Sequence, residues 1–136
     1  MYNQIITLVL LFLSFCTRKV DLFLVASNNN KINEYLKEVS PLSTFTFDFA
    51  DNSVRWQICN IHSGTFSWNR FTKEIVFNEI ASTEMSCFGK VGELDDLVMQ
   101  YFRAPDSYYY IAYDGNVHYL VGKNGWLIFV NSKIFD

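Results

Sequence analysis

At 136 residues the chain is long enough for one well-filled core and too short for two, so a single domain is expected. Half of the residues are hydrophobic and 18% are aromatic, while 18% are charged, below the roughly 25% usual in soluble domains, which points to a large, ring-rich core. Eleven Lys and Arg stand against 14 Asp and Glu for a net charge of -3, and no basic run exceeds Arg18-Lys19, which argues against nucleic-acid binding.

The first 17 residues carry no charged side chain, and Ile5 to Phe15 (IITLVLLFLSF) is apolar except for one Thr and one Ser. At ~1.5 Å rise per residue such a run covers about half of a ~30 Å hydrocarbon core, so it suits the apolar region of a signal peptide better than a transmembrane helix. The next stretch, Leu13-Ser14-Phe15-Cys16, resembles a bacterial lipobox, whose Cys is acylated and becomes the new N-terminus. The expected organisation is therefore a signal peptide over residues 1–16 ending at a lipidated Cys16, and one domain over 17–136. It places the protein in the cell envelope, anchored to a membrane. Export by another route, a membrane-anchored N-terminus without lipid, and a buried N-terminal strand in a cytosolic protein remain open alternatives. The cysteine count is three. With Cys16 lipidated, Cys59 and Cys87 are left as candidates for a disulfide, the other reading being two separate buried thiols.

Leu22 to Ala26 reads as a short apolar segment, closed by a turn at Asn28-Asn29-Asn30, and Pro41 marks another break. TFTFDFA then alternates, with Phe45, Phe47 and Phe49 on one face, as in a half-buried strand. Val54, Trp56 and Ile58 form the apolar face of a second strand, paired with the first through a turn at Asp51-Asn52. Gly64 is read as a tight reversal into TFSW, followed by EIVF at Glu74 to Phe77. From Gly92 to Arg103 the period changes: Leu94, Leu97, Val98 and Tyr101 form one helical stripe, with Glu93, Asp95, Asp96 and Gln100 on the other side. The early acids and the late Arg103 agree with a helix dipole. After Pro105, three strands separated by Asp114-Gly115 and Asn124-Gly125 form a meander. The fold class is α+β: an antiparallel curved sheet or cracked barrel, one amphipathic helix and a C-terminal three-stranded meander.

Two motifs, in order, resemble those of the META domain family, which includes HslJ-type heat-inducible bacterial lipoproteins and the trypanosomatid META protein. The first is Cys59-Asn60 with Gly64 and an aromatic at Phe66. The second is Ile75 and Phe77 running into Ile80, Ala81, Thr83, Met85 and Cys87. The resemblance covers about two-thirds of the chain. It implies a non-catalytic interaction or stress-tolerance module with a protein partner in the envelope. It also implies an alternative, a carrier or pilot lipoprotein that holds an acyl chain inside its barrel. Within the second motif, Ile80 and Met85 are expected in the core and Thr83 bonded to nearby backbone.

Chemistry-bearing residues are sparse. His62 and His118 lie outside any metal-ligand spacing and are expected to be hydrogen-bonded or surface histidines rather than bases or ligands. Residues 59 and 62 project to opposite faces of a strand, so a Cys59–His62 nucleophile pair would need a turn between them. Glu93, Asp95 and Asp96 read as a solvated helix face, and Tyr108 to Tyr110 as alternating core and surface tyrosines. Ser27, Asn29 and Lys31 resemble the phosphate loop of inosine triphosphate pyrophosphatases, but the lysine falls one residue early. No enzyme, no cofactor and no metal is expected.

Overall fold

A computed structural model describes residues 19–39, 44–103, 107–123 and 125–132. The lipobox-like residues up to Cys16, together with Pro41 and Pro105, lie outside them.

The elements in chain order are β1 (Lys19–Ser27), α1 (Asn30–Glu38), β2 (Phe45–Asp48), β3 (Ser53–Gln57), β4 (Ile61–Trp68), β5 (Glu74–Ser82) and α2 (Gly89–Met99). A single 3-10 turn (Gln100–Phe102) follows, then β6 (Ser107–Tyr113), β7 (Val117–Gly122) and β8 (Trp126–Asn131). Every strand pairs antiparallel with its neighbour in sequence, and β1 pairs with β8, so the sheet closes into an up-and-down barrel. The expected curved sheet and C-terminal meander are both present, and closure removes the free edges that an open sheet would expose.

Eight strands enclose a space that side chains can fill. Here the filling is aromatic. Phe45 stacks on Trp56 at 5.6 Å between centroids and meets Phe129 edge-on at 5.1 Å. Phe102, carried in by the 3-10 turn, packs on Trp56 at 4.2 Å and on Phe77 at 4.8 Å. Tyr108 and Tyr110 point inward and Tyr109 outward, as alternation requires. The Tyr110 hydroxyl and His118 Nδ1 share a 2.6 Å hydrogen bond, so this buried His is satisfied.

Three expectations need correction. There are two helices rather than one. The Asn run is the start of α1, where the Asn29 side chain accepts hydrogen bonds from Lys31 N and Ile32 N, leaving Ile32 buried and Tyr35 and Leu36 half-buried against the core. A capping Asn and a turn Asn carry the same sequence signal. Second, α2 starts at Gly89, not Gly92, with no acid in its first turn and no base in its last. The dipole argument for its acids therefore fails. Third, Gly64 is not a reversal but an interior residue of β4, paired with Ile80 of β5.

A β-carbon on Gly64 would lie 2.6 Å from the carbonyl oxygen of Glu79 and inside the Ile80 side chain. Gly64→Ala is accordingly expected to destabilise the barrel by about 1 to 3 kcal/mol, as overpacking does elsewhere. A lower urea midpoint at unchanged slope would register this.

Candidate functional site

The two sequence motifs meet in space. The β3–β4 turn carries Cys59 and Asn60, the end of β5 carries Ile80 to Ser82, and an extended segment from Thr83 leads into α2. Cys59 and Cys87 form a disulfide with Cα atoms 6.2 Å apart, across a 28-residue separation. Asn60 holds the segment from the other side: its Oδ1 accepts from Met85 N at 2.7 Å and from Thr83 Oγ1 at 3.1 Å. Thr83 in turn accepts from Ile61 N at 3.0 Å through its hydroxyl and donates its own N–H to Ile61 O at 3.0 Å. The expected backbone role of Thr83 is thus visible. The expected core role of Met85 is not, since Met85 is 52% exposed; its backbone rather than its side chain is fixed. Ile80 is half-buried against the core, and Ala81 is exposed on the strand pair facing Ser63.

Beneath this loop lies a buried polar chain that sequence reasoning missed. His62 of β4 and Asp95 of α2 are 3% and 2% exposed. His62 Nε2 meets Asp95 Oδ1 at 2.9 Å, and His62 Nδ1 meets Ser82 Oγ at 2.6 Å. With Asp95 ionised and therefore acceptor-only, Nε2 carries its hydrogen, and the Ser82 hydroxyl can turn to donate to or accept from Nδ1. Both ring nitrogens therefore have a partner. Asp95 also accepts from Cys59 N, Asn60 N and Asn60 Nδ2, each at 3.4 Å. One carboxylate therefore ties the β3–β4 turn to α2. Trp56 covers the imidazole face at 4.9 Å between centroids. Its indole N–H is buried without a partner among the described residues, a cost the surrounding ring contacts must offset.

Asp95 thus departs from the expected solvated face because it has partners in the interior. Its neighbours behave differently. Asp96 is exposed, and Glu93 reaches across to α1, where it pairs with Lys31 and accepts from the Tyr35 hydroxyl. Hydrogen bonding to Lys31, then to Tyr35, holds the Glu93 carboxyl below its ordinary range, and the same contacts raise Lys31 and Tyr35. Lys90 and Glu38 form a second link between the helices. Gly92 lets α2 press against the disulfide, since a β-carbon there would lie 2.6 Å from the Cys87 carbonyl oxygen.

The order hydroxyl, imidazole, carboxylate at Ser82, His62 and Asp95 is that of a nucleophile, base and orienting acid. The imidazole lies under Trp56, its carboxylate is engaged with the Cys59–Asn60 turn, and the N–H following Ser82, a common oxyanion donor, is bonded to Ile61 O. The imagined Cys59–His62 nucleophile pair does not form, because Cys59 is in the disulfide and His62 faces Asp95. Among the described residues, no group of three His, Cys, Asp or Glu side chains is placed to hold a metal ion.

No curated protein matches the chain in sequence. Two solved structures are similar to it in fold. An NMR structure of a protein from Burkholderia xenovorans aligns with a TM-score of 0.57 at 14% identity, covering 83% of this chain and 81% of that one. A second NMR structure aligns with a TM-score of 0.58 at 15% identity, covering 86% and 92%. The META domain family model matches residues 30–129, a span that contains both motifs, the disulfide and the buried His62–Asp95 pair. The chain belongs to the META domain family.

Proposed function

We propose that this protein is an exported, lipid-anchored envelope protein whose META domain is a non-catalytic interaction module acting in stress tolerance. The observation that carries the interaction role is the loop from Thr83 to Phe88. It is held by a disulfide, by both ends of the Asn60 amide and by Ile61, yet it presents apolar side chains to solvent, with Met85 52% and Phe88 85% exposed. A rigid loop with apolar tips binds a partner at little ordering cost, which is how preorganised surfaces gain affinity. The apolar run Ile5 to Phe15 and the Leu13–Cys16 motif support export and anchoring.

A carrier role would need an open interior, whereas here rings from β2, β3, β5, β8 and the 3-10 turn occupy one another's surroundings. The polar chain at Ser82 supports a structural role rather than turnover for the reasons of geometry given above.

Two measurements test the reading. Mass spectrometry of the N-terminal peptide from a membrane fraction is expected to show a diacylglyceryl group on Cys16, and an intact Met1 on soluble protein would remove the anchor. A photo-crosslinking side chain at position 88 in cells is expected to give a discrete protein adduct that Met85→Ser weakens. Adduct formation at position 88 no greater than at the polar wall position Thr65 would remove the interaction role, and lipid co-eluting with the extracted barrel would favour the carrier.

A further inference from the structure

The outer wall of the barrel is divided. On β2 to β5 the outward positions are mostly polar, including Asp48, Arg55, Thr65, Ser67 and Glu74, with Ile61 and Val76 among the exceptions. On β6, β7, β8 and the second half of β1 the outward side chains are mainly apolar or aromatic across four adjacent strands, while Ser107 at the start of β6 and Lys19 and Asp21 at the start of β1 are polar. Tyr109, Ile111 and Tyr113 of β6 are 51%, 45% and 63% exposed, and Val121, Trp126 and Val25 are 37%, 37% and 42% exposed. The register makes this one surface: Tyr109 lies opposite Val121, and Val121 opposite Trp126. Contiguous exposed apolar surface of this kind marks a contact site.

We infer that this wall rests on the surface of a lipid bilayer beside the anchor, an inference that depends on the lipidation of Cys16 proposed above. Chain reach is the first argument. Cys16 precedes Lys19, the first residue of β1, by three residues. At no more than ~3.6 Å per residue, the acylated sulfur's residue lies within about 11 Å of the barrel whatever path the chain takes. No linker holds the domain away from the headgroups, so some face must meet them. The point of attachment is the second. The start of β1 lies at the barrel end where β8 finishes, β7 begins and β6 finishes, with Leu22 opposite Asn131, Val117 opposite Val130 and Tyr113 opposite Val117. Tyr113, the most exposed member of the wall, is therefore at the anchored end. Composition is the third. Tyr and Trp have apolar bodies and polar tips, and they favour the membrane–water boundary. A second, protein-borne contact also adds to an acyl anchor, because linked weak contacts reinforce one another.

The test uses the full chain, purified from membranes and reconstituted in phosphatidylcholine vesicles with or without brominated acyl chains. Wild-type fluorescence is compared with that of Trp126→Phe, which retains Trp56 and Trp68 inside the barrel. The brominated lipid is expected to remove roughly half of the emission assignable to Trp126, as for a side chain at the shallow depth of an interfacial contact, and to leave Trp126→Phe unchanged. Ile111→Asp, on the exposed face, should abolish the quenching while keeping a folded near-ultraviolet spectrum. Equal emission in both lipids, with the acyl group on Cys16 verified by mass, would overturn the inference; cross-linking that places a second copy over the same wall would do so as well. Quenching of Trp126 in protein whose Cys16 carries no lipid would support the wall contact and remove the anchor instead.

Discussion

Replacing Asp95 with alanine is expected to destabilise the domain by about 3 to 5 kcal/mol, because several polar groups lose one shared partner at once, at about 1 to 3 kcal/mol for each buried group left unsatisfied. The carboxylate accepts from His62 Nε2 and from three donors of the Cys59–Asn60 turn, so its loss takes the partner of one buried N–H and of three half-buried ones at once. Asp95→Asn keeps the shape and one acceptor and should fall between wild type and Asp95→Ala. Ser82→Ala removes one hydrogen bond at the solvent end of the chain and should cost about 1 kcal/mol. Urea midpoints of the three variants give the order directly. An Asp95→Ala variant within about 0.5 kcal/mol of wild type, the range of ordinary surface changes, would mean that the carboxylate does not hold the turn. A Ser82→Ala effect as large as that of Asp95→Ala would point to a role for the hydroxyl beyond its hydrogen bond.

Cys59→Ser with Cys87→Ser is expected to remove about 3 to 4 kcal/mol, from the loop entropy of a closure across 28 residues. Denaturation of the wild type with and without reductant checks it, and thiol counting in denaturant should find neither Cys59 nor Cys87 reactive until reductant is added. The disulfide and Asp95 both hold the Cys59–Asn60 turn, so their effects should not add. A double-mutant cycle is expected to show a coupling of about 0.5 to 3 kcal/mol, the range for residues that share partners. Strict additivity would mean that the turn stays in place when either restraint is removed.

The acids of α2 show where a sequence is informative and where it stops. At about 100° per residue, Leu94, Leu97, Val98 and Tyr101 define one stripe, and Glu93 and Asp95 border it at about the same angle on either side. Periodicity therefore predicted the buried stripe and could not rank the two carboxylates. Glu93 faces α1 and pairs with Lys31, while Asp95 faces β4 and meets His62. The difference comes from what each side of the helix packs against. Likewise Asn29 was legible as a backbone-bonding residue, but whether it closed a turn or capped a helix depended on Ile32, Tyr35 and Leu36 finding the core. Gly64 signalled a need for a missing side chain; that the need was close strand approach rather than reversal depended on Ile80 and Glu79 lying against it.

By itself the sequence determined the family motifs, the alternation of the barrel strands, the meander turns at Asp114-Gly115 and the pairing of Cys59 with Cys87 as a candidate. These are local or nearly local signals, set by side-chain period, by residues that accept positive φ and by residue identity at fixed spacing. Only the tertiary structure decided that β1 closes the sheet onto β8, that Ser82, His62 and Asp95 form one hydrogen-bonded chain running from the surface to the interior, and that Met85 points outward while its backbone is held. The divided outer wall belongs to the same group. Each of these joins residues from strands or helices far apart in the chain, and a one-dimensional pattern records which face a residue takes but not what stands opposite that face.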